Sequence, residues 1–148
     1  MFDLKNKKIF VAGHKGMVGS SIMNELNFLD LEVLTAEKNE LDLRDFSLVN
    51  NWFKKKKPDV VMSDMAVNTT GIKNIDSIQT GELCKEAMIF SKDVISEKGF
   101  FISKIFMGST FNEIVALGKK IFKEVKVFKP KSSRKDSKES FIICKNLR

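Results

Sequence analysis

The hydrophobic pattern of the chain predicts strands that alternate with helices. Short β-branched and aromatic runs, which indicate strands, lie at 8–12, 31–34, 41–43, 59–63, 99–106, 125–128 and 140–144. Apolar residues at helical spacing predict helices over 17–29, 45–57, 80–97 and 110–123. This alternation is typical of an α/β fold with a Rossmann-like, doubly wound, mostly parallel sheet, which binds ligands at the carboxyl ends of its strands.

Two stretches depart from the alternation. No helical pattern separates the last two strands, so the final strand should run antiparallel to its neighbours. Residues 64–78 are polar and contain glycine, which predicts a loop. Thr110 and Glu113 have the spacing of a capping box and should open the last helix. We expect one Rossmann-like domain over residues 1–148.

Composition narrows the class of protein. The 148 residues are 43% hydrophobic and 30% charged, which fits one soluble domain. Two cysteines and one histidine exclude a Cys/His zinc site and argue against a disulfide scaffold. No apolar run approaches the ~20 residues of a membrane span, and the first residues lack the long apolar run of a signal peptide. We therefore expect a cytoplasmic protein with no membrane segment and no metal.

The net charge of +7 is uneven. Residues 1–61 hold 10 basic and 9 acidic side chains, whereas residues 62–148 hold 16 and 10. The segment 129–138 is a basic loop of the kind that contacts phosphates. Its candidate RNA-binding residues are Lys129, Lys131, Arg134, Lys135 and Lys138. Because 23 of the 26 basic residues are lysines, a merely solvated surface is the alternative.

A glycine loop joins the first strand to the first helix. Gly13, Gly16 and Gly19 have the spacing G-x-x-G-x-x-G, which lets backbone N–H groups approach a pyrophosphate at a helix N-terminus. A tight turn that binds nothing is the alternative. Together with 40–45 and 57–61, this loop resembles the amino-terminal part of GDP-fucose synthases, extended short-chain dehydrogenases that bind NADP. The resemblance implies that the three glycines contact the pyrophosphate and that Asp42 lies on the adenine side.

This chain lacks a residue that the reaction of those reductases requires. They use a Tyr-x-x-x-Lys pair in which the lysine lowers the pKa of the tyrosine, so that the phenol can transfer a proton. This chain has 13 phenylalanines and no tyrosine. The resemblance also stops at Val61. We therefore expect nucleotide binding but no reductase activity.

Three charged residues of the second half are predicted to converge. Asp64 follows the strand at 59–63, and Lys104 interrupts a strand whose continuous apolarity suggests burial on both faces. Glu139 begins the final strand, and an antiparallel strand begins at the edge where the parallel strands end. The alternatives are a turn-capping aspartate, a lysine whose ammonium reaches solvent, and a solvated glutamate.

The second half resembles a family of RNA-modifying enzymes. The segments 63–68, 80–84, 103–108 and 129–139 are similar to the carboxy-terminal part of FtsJ-type ribosomal-RNA 2′-O-ribose methyltransferases, and the match covers about 59–148. The family's catalytic set is Lys-Asp-Lys-Glu, and its last three members fall on Asp64, Lys104 and Glu139. The resemblance implies that Lys104 accepts the proton of the ribose hydroxyl. Asp64 would lie beside S-adenosylmethionine and orient the lysine, and Glu139 would support the network. The implied partner is ribosomal RNA or the large ribosomal subunit, with phosphates held by the basic loop.

The front of the chain departs from that family. The family's donor loop, Asp-Leu-Gly-x-x-Pro-Gly, is replaced by residues 11–17, where only Gly13 coincides. The family's first lysine lies in a helix before the first strand, and only seven residues precede Lys8 here. We therefore predict a chimera with impaired activity, in which a dinucleotide-binding half (1–61) joins a methyltransferase half (62–148). The alternative is a non-catalytic module that binds NADP.

Overall fold

The computed structural model describes residues 4–11, 14–63, 65, 73–130, 137 and 139–148. In this part of the chain, six strands form one sheet, and four helices pack on its two faces. The elements in chain order are β1 (Lys8–Phe10), α1 (Met17–Leu26), β2 (Glu32–Leu34), α2 (Phe46–Lys56), β3 (Val60–Ser63), α3 (Lys73–Val94), β4 (Phe100–Phe106), α4 (Phe111–Ile121), β5 (Phe122–Phe128) and β6 (Glu139–Leu147).

The strand order is β2-β1-β3-β4-β6-β5. The first four strands of this order are parallel, and β6 is antiparallel to both of its neighbours, β4 and β5. The predicted fold class and the predicted direction of the last strand are therefore confirmed. Strand β6 follows β5 without an intervening helix and lies between β4 and β5 in the sheet. Because β6 is antiparallel to β4, the first residues of β6 lie beside the carboxyl end of β4.

The helices divide between the two faces of the sheet. Helices α3 and α4 cover the face that carries Phe101 and Ile105, and the hydrophobic cluster there includes Ile142 of β6. Helix α1 covers the opposite face, in a cluster that extends along β4 only as far as Phe100 and Ile102. The prediction that β4 is buried on both faces is therefore wrong. Its alternate residues are buried on the α3 side and half-buried on the α1 side, because α1 does not reach the carboxyl end of the strand.

Two other predictions of elements are wrong. Residues 41–43 form no strand but lead into a turn at 43–44, because Asp42 accepts the Arg44 backbone N–H and Asp45 caps α2 through the Leu48 N–H. Helix α3 begins at Lys73, within the stretch predicted to be a loop.

Close packing joins α3 to the segment between β4 and α4. A Cβ atom on Gly81 would lie 2.9 Å from Thr110 Cβ, and one on Gly108 would lie 2.8 Å from Ser77 Cβ. Thr110 is the N-cap residue of α4, but its hydroxyl makes no cap and donates to the Ser77 carbonyl at 3.4 Å. The predicted start of α4 is thus confirmed, whereas the capping box is not formed.

Ion pairs also connect these two helices. Lys85 Nζ lies 2.8 Å from a carboxylate oxygen of Glu82 and 2.8 Å from one of Glu113. The hydrogen bond to Glu113, followed by the one to Glu82, raises the pKa of Lys85. Glu113, the expected second member of the capping box, is therefore used to hold α4 against α3.

Both cysteines are free and buried in the cluster beneath α3 and α4. Burial raises the pKa of the Cys84 thiol and raises that of Cys144 to about 12. Since the thiolate is the reactive species, we expect neither thiol to react with a disulfide reagent such as DTNB at pH 8 in the folded protein. Both should react after unfolding in guanidinium. Rapid stoichiometric labelling of the folded protein would contradict this packing.

None of the helices in the described part of the chain combines the length and apolarity needed to cross a bilayer.

Candidate functional site

Lys104 and Glu139 share one face of the sheet at its carboxyl edge. The register of the antiparallel pair places Lys104 opposite Phe141 and Glu139 opposite Phe106. Residues directly opposite in such a pair point to the same face, so Lys104 and Glu139 are diagonal neighbours about 7 Å apart at Cβ. Long side chains span that separation. The register therefore places two of the three predicted residues on one face as neighbours.

Lys104 is half-buried and follows a buried serine. That serine, Ser103, is in register with Ser63 at the end of β3. Asp64, the third predicted member of the group, lies outside the described residues.

The two described glycines of the loop lie at the start of α1 and inside its first turn. Gly16 is the N-cap residue of α1 and is exposed, and no side chain among the described residues caps that helix. Gly19 lies inside the first turn of α1 and is buried, the position at which a glycine allows close packing of helix on sheet. Gly13 lies outside the described residues.

A carboxylate that sequence reasoning missed lies beside this loop. Glu37 follows β2, and its Oε1 lies 2.7 Å from Lys15 Nζ and 3.3 Å from His14 Nε2. The hydrogen bond from Lys15 lowers the pKa of Glu37 below its ordinary value. In Rossmann-like proteins, an acidic residue about 20 positions after the glycine loop binds ribose hydroxyls. That spacing, applied from Gly16, would have indicated Glu37.

Asp42, the residue chosen from sequence for the adenine side, is engaged by Arg44. Its carboxylate accepts side-chain hydrogen bonds at 2.6, 3.0 and 3.3 Å and the Arg44 backbone N–H at 3.0 Å. The side-chain hydrogen bond and then the backbone one lower the pKa of Asp42 well below its usual range. The pair is on the surface, in an open depression lined also by Asp45 and Phe46.

Of the five basic residues assigned to RNA, the structure describes Lys129. Its Nζ donates to the Ser137 carbonyl at 2.8 Å, which ties the start of the basic loop to its end. The other four lie outside the described residues: Lys131, Arg134, Lys135 and Lys138. Within the described ranges, no group of three or more His, Cys, Asp or Glu side chains is arranged to hold a metal ion.

Comparisons with known proteins show the family of the chain. The FtsJ-like methyltransferase family matches residues 4–147. A protein named ribosomal RNA large subunit methyltransferase E from Pelagibacter ubique is 62% identical over 126 residues, covering 81% of this chain and 62% of the relative. A protein of the same name from Wolbachia pipientis wMel is 41% identical over 101 residues, covering 68% of this chain and 53% of the relative.

A solved structure shares the fold. The crystal structure described as a ribosomal RNA methyltransferase from Plasmodium falciparum superposes with a TM-score of 0.69 at 24% identity, over 97% of this chain and 87% of that one. The chain spans 62% and 53% of the length of the two curated relatives. Because the family match runs from residue 4 to residue 147, it includes both halves distinguished in the sequence. The chain belongs to the FtsJ-like methyltransferase family.

Proposed function

We propose that this chain transfers a methyl group from S-adenosylmethionine to a ribose 2′-hydroxyl of ribosomal RNA, alone or in the large ribosomal subunit. The observation that carries the proposal is the placement of Lys104 and Glu139 on one face of the sheet at its carboxyl edge. Parallel sheets of this type bind their ligands at that edge. Membership of the FtsJ-like family implies the methyl donor.

The proton of the ribose hydroxyl needs an acceptor on the protein. Lys104 would accept the proton of the hydroxyl as its oxygen bonds to the methyl carbon, and the bond between that carbon and the donor sulfur would break to release S-adenosylhomocysteine. Glu139 lies within reach of the ammonium that results and stabilises its charge. We assign to Asp64 the orientation of Lys104, as the resemblance to the FtsJ-type enzymes implies.

The residues at the front of the sheet fit the donor. Glu37 is half-exposed and accepts hydrogen bonds, so it would hold the ribose hydroxyls of the donor. The first-turn N–H groups of α1, next to Gly16, would hold its carboxylate, and we keep Gly13 in this loop. When bound, S-adenosylmethionine supplies a methyl group on a sulfonium centre. Lys15 and His14 both contact Oε1 of Glu37, so the hydroxyls of the donor would compete with them at that oxygen, and we propose that this weakens donor affinity and turnover.

We also propose that residues 1–148 act as one Rossmann-like domain. Support comes from a hydrophobic cluster that contains Ile9 and Leu26 of the first half together with Phe100 and Ile102 of the second. The assignment of residues 1–61 to a dinucleotide-binding ancestry, and so of the chain to a chimera, stays a prediction from sequence.

One observation favours a second candidate, a non-catalytic module that binds NADP. Lys15 and His14 lie beside Glu37, at the place where a cation accommodates the 2′-phosphate of NADP. The two candidates differ in the ligand that binds to the glycine loop.

Titration of the purified protein with S-adenosylhomocysteine and with NADP separates the two candidates. We expect heat release and a raised melting temperature with S-adenosylhomocysteine, and incorporation of labelled methyl from S-adenosylmethionine into ribosomal RNA. Replacement of Glu37 by Gln should weaken the binding of S-adenosylhomocysteine, since an amide is a poorer acceptor for two hydroxyls. Stabilisation by NADP alone, with no methyl incorporation, would support the second candidate and overturn the first.

A further inference from the structure

An aromatic row extends from Lys104 to the edge of the sheet. Phe141 of β6 lies opposite Lys104, and Phe128 of β5 lies opposite Phe141. Directly opposite residues point to the same face, so both rings lie on the face of Lys104. Adjacent strands are about 4.8 Å apart, and Phe128 is two strands away from Lys104, so the two backbone positions are about 10 Å apart.

Among the described residues, this face has less helix cover than the other. The hydrophobic cluster under α1 takes residues from β4 but none from β5 or β6 among the described residues. Phe141 is half-buried, and Phe128 is 50% exposed. Phe128 differs from an isolated exposed ring because it adjoins Phe141 on one face and the two continue the surface of the candidate site, so together they form an apolar patch of the kind that binds a ligand.

Two lysines lie beside Phe128. Lys126 lies opposite Ile143 and so points to the same face, and Lys129 directly follows Phe128. Both lysines are exposed. Exposed aromatic rings interleaved with lysines bind single-stranded nucleic acid, because bases stack on the rings while the cations contact phosphates. The positive charge of the lysines and the planar rings therefore favour RNA as the ligand of this surface.

We infer that Phe141 and Phe128 form a stacking platform for the bases that flank the methylated nucleotide. With the ribose at Lys104, the strand of RNA crosses β6 and β5 toward the basic loop, and Lys126 and Lys129 contact its phosphates. The direction of the RNA rests on the proposed function, whereas the stacking itself does not. Phe141 and Phe128 are positioning residues in this account, since they touch the RNA but not the reacting atoms.

The test measures RNA affinity without the methyl donor. Phe128→Leu keeps the apolar volume and removes the ring, Phe128→Trp keeps a stacking surface, and Phe28→Leu is the matched control, because Phe28 is 88% exposed and lies between α1 and β2. The probe is a short fluorescein-labelled single-stranded oligoribonucleotide, followed by anisotropy. We expect Phe128→Leu to weaken binding about 5- to 100-fold, the loss of one base–aromatic stack. Phe128→Trp should bind as the unchanged protein does, and so should Phe28→Leu.

The outcomes separate this inference from the proposed function. In the methyl-transfer assay, Phe128→Leu should raise KM for RNA by a similar factor with kcat within about twofold, a split that a general loss of folding does not produce. Equal RNA affinity of Phe128→Leu and Phe28→Leu would overturn the platform even if the protein methylates RNA. An unchanged protein that binds RNA through Phe128 but transfers no methyl group would overturn the proposed function and leave the platform standing.

Discussion

Lys104→Ala should abolish measurable methyl transfer while the protein remains folded. Removal of a group that accepts a proton in the transition state costs about 10²- to 10⁴-fold in rate. Lys104 is half-buried on the α1 face of β4, beyond the β4 residues that pack under α1, so its truncation leaves the core on the α3 side intact. The measurement is incorporation of labelled methyl into ribosomal RNA, with melting temperature as the check on folding.

Two further variants make the result specific. Lys104→Arg keeps the positive charge but cannot accept a proton, so we expect it to be as inactive as the alanine variant. Lys98→Ala removes an exposed lysine from the turn before β4 and should leave the rate unchanged. Activity in Lys104→Arg near that of the unchanged protein would show that charge alone suffices, and would remove the proton-acceptor role.

Gly81→Ala should destabilise the protein by about 1–3 kcal/mol, the range found for overpacked cores. Glycine to alanine in a helix interior ordinarily stabilises by up to about 1 kcal/mol, so the sign of the change is diagnostic. The reason for the reversal is Thr110, whose Cβ would lie 2.9 Å from the added methyl group, with Ile114 Cδ1 at 3.4 Å behind it. For a chain of this size, we expect a loss of roughly 2–12 °C in Tm.

Gly118→Ala is the matched control for that variant. Gly118 is also a buried glycine inside a helix, but its added Cβ would meet Cys144 Sγ at 3.3 Å and Val125 Cγ2 at 3.4 Å, which a small side-chain shift relieves. We expect a change in Tm close to zero. If Gly81→Ala and Gly118→Ala behave alike in denaturant unfolding, the close contact of α3 with Thr110 does not contribute to stability.

The sequence predicted the parts of the fold in which polarity and burial agree. Strands such as β4 and helices such as α2 follow their patterns, and Asp45 and Pro58 mark the ends of α2 as expected. The start of α3 was missed because its pattern is inverted. Asp76 and Thr80 are buried there, whereas Ile75 and Ile78 are more than 40% exposed. Such a pattern of polar and apolar residues predicts a loop.

The candidate site was predictable where strand register determines it. Lys104 and Glu139 share one face because β6 is antiparallel and begins where β4 ends, and both facts follow from the missing helix before β6. Glu37 was missed because its pairing with Lys15 and His14 depends on how the glycine loop turns, which no periodicity encodes. Phe128 and Phe141 were seen only as strand residues, because their shared face with Lys104 depends on the exact β5–β6 register.

The central claim is that this sheet edge directs a methyl group to a ribose hydroxyl of RNA. The most direct measurement digests ribosomal RNA to nucleosides after incubation with S-adenosylmethionine and the protein, and identifies the methylated nucleoside by mass spectrometry. The account predicts a 2′-O-methylated nucleoside with the unchanged protein and none with Lys104→Ala. A base-methylated nucleoside, or a 2′-O-methylated one that persists in Lys104→Ala, would contradict it.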